Sequence, residues 1–350
     1  MSKIAIITDT HWGIRNDSDV FHDNTKLFLD TIFFKYLKEN NITKLFHLGD
    51  LVDRSKYINF NTSKRLRLDF LEPLAKDGIE TYIILGNHDV YHKNTNITNA
   101  IEELVDNKYS NFKIFYEPSE IEVYNTKFLM LPWICDDNRE LTMRMIRDTR
   151  SQLCMGHLEL SGFPMFKGSI ESHGDDPTAW SRFDMVMSGH YHHRSTGKNI
   201  HYLGSHAEFT WSDWDDPKGF HVFDTSNRQL EFIRNPYIMF NKLIYDDEKG
   251  ICTPITQDLN KTIIKVMIKS KSNPYMFDKY IDTLDSVGPT EYQILEDITD
   301  INHQEEVIDE SESTLDIFKK YIDKSEIKDI NKKDLEKLIV DLYNEALSVE

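Results

Sequence analysis

The chain has 350 residues, 29% of them charged and 12% aromatic, a globular composition with length enough for two or so domains. Lys and Arg number 41 against 59 Asp and Glu, a net charge of −18. That balance excludes a basic nucleic-acid coat, so any polyanion must be met through local patches, and binding by the chain alone is expected to be weak and salt-sensitive. Cys135, Cys154 and Cys252 form no CxxC and no even framework, which predicts reduced thiols and no thiolate zinc site. The opening MSKIAIITDT lacks a basic n-region, and no run approaches about 18 apolar residues. Neither a signal peptide nor a membrane span is expected; the expected location is the cytoplasm.

In chain order, short apolar and β-branched runs recur at Lys3–Ile7, Lys44–Leu48, Thr81–Leu85, Lys127–Leu131, Gln152–Met155 and Met185–Met187. Each reads as a buried strand of a packed sheet. Helical patterns lie between them over 24–39, 97–106 and 137–149; the first sets Leu27, Phe28, Thr31, Ile32 and Leu37 near one stripe. The alternation predicts an α/β layered domain, to which Tyr202–Leu203 and Phe220–Phe223 add further strands. From about 226 the texture changes to strand Thr262–Ile268, helix Tyr275–Val287 and strand Glu291–Leu295, a small α+β appendage. Residues 296–312 carry Glu296, Asp297, Asp300, Glu305, Glu306, Asp309, Glu310 and Glu312 without a Lys or Arg, and read as a solvated linker. A helix pair follows. Ser313 and Asp316 resemble a capping box before Leu315, Phe318 and Ile322; Asn331 can cap a second helix with Leu335, Leu338, Ile339, Leu342 and Leu347. The pair either packs on its own body or docks a partner. The expected domains are therefore 1–225, 226–295, 296–312 and 313–350.

The chemistry gathers where strands end. Five of them run into Asp9-Thr-His11, Gly49-Asp50, Gly86-Asn87-His88-Asp89, Gly156-His157 and Gly189-His190-Tyr191-His192. In α/β sheets, sites form beyond the carboxyl ends of strands, and a glycine lets the next side chain turn into the shared cavity. The candidate ligand set is Asp9, His11, Asp50, Asn87, His157, His190 and His192. Mixed carboxylate, imidazole and amide donors suit first-row divalent ions better than calcium. Seven donors exceed one tetrahedral site; two ions sharing Asp50 fit, and ions about 3.5–4 Å apart suit phosphoester hydrolysis. A lone His or GD would carry no weight. Five such motifs in order, each after an apolar run, do.

The five motifs, spanning about residues 3–195, resemble the calcineurin-like metallophosphoesterase superfamily. Asp9-Thr-His11-Trp12-Gly13 resembles the opening of SbcD-type nucleases, the nuclease subunits of SbcC–SbcD recombination and repair complexes. Leu131-Pro132-Trp133, Gly156-His157-Leu158-Glu159-Leu160-Ser161-Gly162-Phe163, Tyr202-Leu203-Gly204-Ser205 and Asp216-Pro217-Lys218-Gly219-Phe220 are similar to that family too, especially its T-even-phage branch. With the appendage, linker and helices, the similarity covers nearly the whole chain. It implies a layered phosphoesterase sandwich with a capping domain over 226–295 that contacts DNA and a C-terminal helix pair. One metal would be held by Asp9, His11, Asp50 and His192, the other by Asp50, Asn87, His157 and His190. Manganese is the first expectation and magnesium the second. His88 would contact the scissile phosphate and help protonate the leaving oxygen, a task suited to an imidazole titrating near neutrality; its alternative is a supporting hydrogen-bond donor. Asp89 would orient His88 or a loop. The resemblance further implies a homodimeric 3′-to-5′ duplex exonuclease and single-strand endonuclease, working with an SbcC-type coiled-coil ABC ATPase that docks on the terminal helices.

Some residues depart from the pattern. Asp53 stands where many relatives have His, and becomes a candidate supporting residue. Trp12 replaces the usual Leu and either packs or stacks on a base. His193 and Arg194, beside a candidate ligand, and Arg15, Lys56, Arg65 and Arg67, near motif loops, could meet phosphate or be ordinary solvated charge. Two other functions compete. A phosphatase of the same superfamily is echoed by Gly49-Asp50-Leu51-Val52-Asp53-Arg54, but Ser55, Leu85, Asp89 and Trp12 break the phosphoprotein phosphatase pattern. A non-catalytic scaffold would be expected to lack an Asp or His of the set, and none is missing.

Overall fold

In a computed structural model, the chain is described over residues 2–105 and 108–296, with Lys332, Leu335 and Leu338 as single helical positions. It divides into two units, Met1–Glu305 and Glu306–Glu350. The expected acidic linker beyond Glu296 and the rest of the expected helix pair lie outside the described residues.

Two six-stranded sheets build the first unit. One runs through Gln229–Arg234, Gly219–Asp224, Lys3–Ile7, Lys44–Leu48, Glu80–Ile84 and Phe112–Phe115, the last four mutually parallel. The other runs through Ser195–Gly197, Ile200–Tyr202, Met185–Gly189, Leu153–His157, Thr126–Leu131 and Ser119–Val123, its four central strands parallel. Alternate residues face opposite ways along a strand. Ile4, Ile6, Phe46, Leu48, Tyr82 and Ile84 therefore meet Phe128, Met130, Leu153, Met155 and Met187 between the sheets. Ala5, Ile7, Leu45 and Ile83 point the other way and pack on Phe28, Phe33, Leu37, Phe70 and Leu74 of two helical segments. On the far side Leu129, Leu131, Cys154 and Val186 pack on Ile146 and Trp180. The result is a helix–sheet–sheet–helix sandwich. Strands covered on both faces must be apolar at every position, which is why the expected runs stood out.

The expected strands and the helix over 137–149, observed as Arg139–Asp148, agree closely with the observed elements. The helix expected over 24–39 begins earlier, at Asp19, and holds a π turn at Leu29–Phe33. The extra residue in that turn rephases the stripe: Phe28, Leu29, Phe33 and Leu37 are buried, while Leu27 is 43% exposed. The helix expected over 97–106 is shorter. Thr95–Asn99 forms a strand with Val90–His92, and the Asn99 side chain then caps one turn, Ala100–Leu104. The Phe60–Lys76 helical segment, with a second π turn at Arg67–Leu71, lacked the regular 3.6 period that would have announced it. The boundary expected at 225 is corrected as well. Gln229–Arg234 pairs with Gly219–Asp224 along its whole length, so the first sheet continues through Arg234.

A third sheet follows, in the order Ile251–Cys252, Phe240–Asp246, Ile263–Ser270 and Glu291–Leu295. The last two are parallel, joined by helix Pro274–Val287, which Asn273 caps at its start. Leu243, Tyr245, Ile264, Val266, Phe277 and Leu284 close its own small core. Phe21, Phe209, Met239, Phe240 and Ile263 join that sheet to the sandwich. All three cysteines are free, and no described helix is long and apolar enough to cross a membrane.

Candidate metal centre

The carboxyl ends of Lys3–Ile7, Lys44–Leu48 and Glu80–Ile84 lie side by side in one sheet, and those of Leu153–His157 and Met185–Gly189 in the other. The turns beyond them are stitched together. Asp9 N donates to Gly49 O (3.1 Å), His11 N to Asp50 O (3.1 Å), and His190 N crosses between sheets to Asp9 Oδ1 (3.1 Å). The fit leaves no room for extra atoms: a Cβ on Gly86 would stand 2.1 Å from Asp50 Oδ1, and one on Gly49, at φ +88°, 2.5 Å from His157 Nδ1. Asp9, His11, Asp50 and His190 themselves have φ of 52°, 43°, 54° and 87°. Four side-chain-bearing residues in left-handed backbone are strained, and such strain persists only where the surroundings over-determine it.

All seven candidate ligands come together, in two groups. Ligand atoms of Asp9, His11 and His192 lie within 4.8 Å of one another, as do those of Asp50, His157 and His190. His11 Nε2 and His192 Nε2 face each other at 3.0 Å. Asn87 Oδ1 is 2.9 Å from both His157 Nε2 and His190 Nδ1. Asp50 Oδ2 sits between the groups, 3.6 Å from His11 Nε2 and 3.3 Å from His157 Nε2.

The donor chemistry fits divalent ions. His157 Nδ1 donates to Leu48 O (2.8 Å), which turns its Nε2 toward Asp50 and Asn87. Every donor is nitrogen or oxygen, with no sulfur, the mixture that suits first-row divalent metals. The charges argue the same way. Burial alone would push Asp50 up, but the imidazoles of His157, His88 and His11 outweigh it and hold the carboxyl well below its usual range. Burial opposes protonation of His157, yet the Asp50 carboxylate pushes it up to about 9. Burial, aided by Asp50, raises Asp9; burial and the His11 ring lower His192 to about 3. Carboxylates held this close in a dry site call for positive charge between them.

The supporting residues are also placed. Asp53 Oδ1 is 3.4 Å from His11 Nδ1, and the Asp53 carbonyl is 2.5 Å from His88 Nδ1. A carbonyl only accepts, so His88 Nδ1 carries a proton. His88 N donates to Asp50 Oδ1 (2.9 Å), and its ring stands edge-on to His11 at 4.7 Å. Asp89 is wholly buried. Its two oxygens accept from Asp50 N (2.8 Å), Leu51 N (2.9 Å), Val52 N (3.2 Å) and Gly86 N (2.8 Å), clamping two motif loops. Asp89→Asn turns an amide donor toward these donors and removes the charge. It is expected to destabilise the fold by about 3 kcal/mol, read as a lower urea midpoint in EDTA. An unchanged midpoint would remove the clamp from the account.

Trp12 is buried, stacked on His22 and tilted against Phe70, so it packs and is not free to stack on a base. Arg15 is exposed, its Nε donating to Phe209 O (2.9 Å). His193 Nδ1 pairs with Asp216 Oδ1 (3.0 Å), and exposed Arg194 lies 4.2 Å over the Phe232 ring. Arg65 pairs with Asp23 and Asp69, Arg67 forms a surface pair with Glu72, and Lys56 is exposed. The motif spacing did not reveal Thr8, whose hydroxyl donates to Asp9 Oδ2 (2.6 Å), or Phe209, whose ring flanks His11 and His192 at 5.6 and 5.7 Å. Trp133 flanks His190 and His157 at 5.5 and 6.2 Å. The Phe209 and Trp133 contacts join distant segments, which residue spacing does not encode, whereas Thr8 acts on its immediate neighbour.

Two imidazole-and-carboxylate clusters around one carboxylate, set where parallel strands of two packed sheets end, define a metal-dependent phosphoesterase. A family model described as Calcineurin-like phosphoesterase matches residues 2–194. The chain belongs to the calcineurin-like phosphoesterase family and is a metal-dependent phosphodiesterase. It is 33% identical over 245 residues to Exonuclease subunit 1 of Enterobacteria phage T4, covering 69% of this chain and 70% of that one. It is 28% identical over 312 residues to the SbcD component of nuclease SbcCD from Staphylococcus epidermidis, covering 79% and 78%. The protein of the same name from Staphylococcus saprophyticus is 25% identical over 260 residues, covering 65% and 67%.

Proposed function

We propose that the chain is the nuclease subunit of a DNA recombination and repair complex, cleaving phosphodiesters with two divalent ions, manganese foremost and magnesium as the substitute. The observation that carries this is the complete seven-residue donor set, sorted into two groups around Asp50, in a chain similar to two proteins named as nuclease components. Asp9, His11, Asp50 and His192 would hold one ion, and Asp50, Asn87, His157 and His190 the other. Bound there, the ions supply an activated water and charge for the leaving oxygen. His88 Nδ1–H donates to the Asp53 carbonyl; carrying a second proton on Nε2, the ring would contact the scissile phosphate and help protonate the leaving oxygen. Asp53 steadies His11 and His88, and Asp89 steadies the loops.

DNA reaches this site past Arg15, His193 and Arg194 and across the third sheet. Lys242 and Lys265, neighbours in register there, lie 3.8 and 4.3 Å over the rings of Trp214 and Trp211. Paired cations and aromatic faces are what single nucleic-acid strands use. On a chain of net charge −18 such local patches must provide most of the attraction to phosphate. The family resemblance supports 3′-to-5′ duplex exonuclease and single-strand endonuclease activity, a homodimer, an SbcC-type ATPase docked on 313–350, and work in the host or cell cytoplasm.

The test is end-labelled duplex DNA with the purified chain in Mn2+. Release of labelled nucleotide that EDTA abolishes is the expected result. Hydrolysis of p-nitrophenyl phosphate with DNA left intact would favour a phosphatase. Silence on both, even with the ATPase added, would leave a scaffold.

A further inference from the structure

We propose that Lys218 is a positioning residue for the metal centre, fixing the main chain at His192 and thereby the aim of that imidazole. The proposal rests on the reading of His192 as a metal ligand. Lys218 is 4% exposed, and its ammonium has three donors and three acceptors: Asp213 Oδ1 (2.7 Å), His192 O (2.7 Å) and Asp216 Oδ2 (2.9 Å). Each acceptor leads to the site. His192 O also accepts from Ser205 N (3.2 Å), and Gly204 packs so closely that a Cβ would stand 2.8 Å from that oxygen. The carbonyl is thus pinned from two sides next to the imidazole it carries. Asp213 Oδ2 accepts from Phe209 N and Thr210 N (2.9 Å each), which sets the Phe209 ring against His11 and His192. Asp216 Oδ1 meets His193 Nδ1 (3.0 Å). One ammonium therefore ties together His192, the aromatic wall behind His11 and His192, and the neighbouring His193.

A buried ion triad is a poor source of stability. Apolar side chains of similar volume would hold the fold as well, because desolvating three charges offsets most of their attraction. What an apolar substitute cannot supply is a donor to the His192 carbonyl and a fixed direction for its ring. Residues that orient a metal ligand at one remove typically change metal affinity about 10- to 100-fold when replaced.

The experiment is calorimetric titration of Mn2+ into the full chain, for wild type, His192→Ala, Lys218→Gln and Asp216→Asn, with circular dichroism melts alongside. Wild type is expected to bind two ions, and His192→Ala to lose one of them. Lys218→Gln is expected to keep both sites while the Kd of the ion lost in His192→Ala rises about 10- to 100-fold and the other stays put. A purely structural lysine would lower Tm and leave both Kd values alone, and that result overturns the proposal. Should Lys218→Gln fail to fold, Asp216→Asn decides. It removes one of the two carboxylates that hold the ammonium against the His192 carbonyl, so the same Kd should rise several-fold; no change there overturns the proposal too. Fewer than two ions in the wild type would overturn this proposal together with the ligand assignment beneath it. Two ions in wild type, with unaltered Kd values in folded Lys218→Gln, overturns this proposal alone.

Discussion

Replacing His88 by alanine is expected to leave two Mn2+ ions bound and to slow phosphodiester hydrolysis about 10²- to 10⁴-fold, the usual contribution of a positioned acid or base. His88 is suited to that split because the one hydrogen bond it gives a proposed ligand comes from its main chain, while its ring meets His11 only edge-on. Its Nδ1 is held by the Asp53 carbonyl at 2.5 Å, and its main-chain N–H, which alanine retains, donates to Asp50 Oδ1 at 2.9 Å. The substitution therefore removes the ring while keeping the bond that orients Asp50. The loss should fall on kcat with KM for DNA little changed, as for a group acting chiefly in the transition state. Single-turnover cleavage and Mn2+ titration on the same preparation check both halves. A wild-type rate would take His88 out of the reaction, whereas loss of an ion would make it part of the metal site.

Asp50→Asn should be more damaging, and in a different way. Asp50 lies between the two donor groups, its Oδ2 3.6 Å from His11 Nε2 and 3.3 Å from His157 Nε2. An amide of the same shape keeps the packing and loses the charge that would be shared by both ions. The variant is expected to bind at most one Mn2+, to lose the rise in Tm that saturating Mn2+ gives the wild type, and to cleave DNA at least about 10³-fold more slowly. The pairing with His157 should fail in parallel. The Asp50 carboxylate overcomes burial to push that imidazole up to about 9, so without it burial dominates and the ring should deprotonate at lower pH. In metal-free protein this is visible as a downward shift of the His157 NMR titration. Retention of two ions by Asp50→Asn would refute a shared carboxylate.

The strand-end motifs were legible because each is a local event: an apolar run, a turn and one polar side chain. The topology supplies the rest, since parallel strands deliver their carboxyl ends to one edge. Asp53 could be suspected by its place in the chain, but not its 3.4 Å approach to His11 Nδ1, which needs two loops in register. The π turns at Leu29–Phe33 and Arg67–Leu71 were invisible to a 3.6-residue period because each adds a residue to one turn. Gln229–Arg234 was missed for a related reason. It is an edge strand only partly covered on either face, with Leu230 between the sheets and Ile233 on the helix side, so its pattern is mixed, and the change in texture after 225 drew the boundary too early. Thr8 and Phe209 have no motif at all.

The donor atoms come from two separate sheets, Asp9, His11, Asp50 and Asn87 from one and His157, His190 and His192 from the other. The sheets are held apart by side chains far from any chemistry, among them Phe46, Tyr82, Phe128, Met130 and Met155. The thickness of that apolar filling is consequently the gauge that spaces the two halves of the metal centre. Close-packed interiors transmit such dimensions with little give. A drift in core volume would act here as a tuning screw on the donor geometry of both proposed ion sites, each of which draws on both sheets, reaching the reaction without altering one residue that touches it.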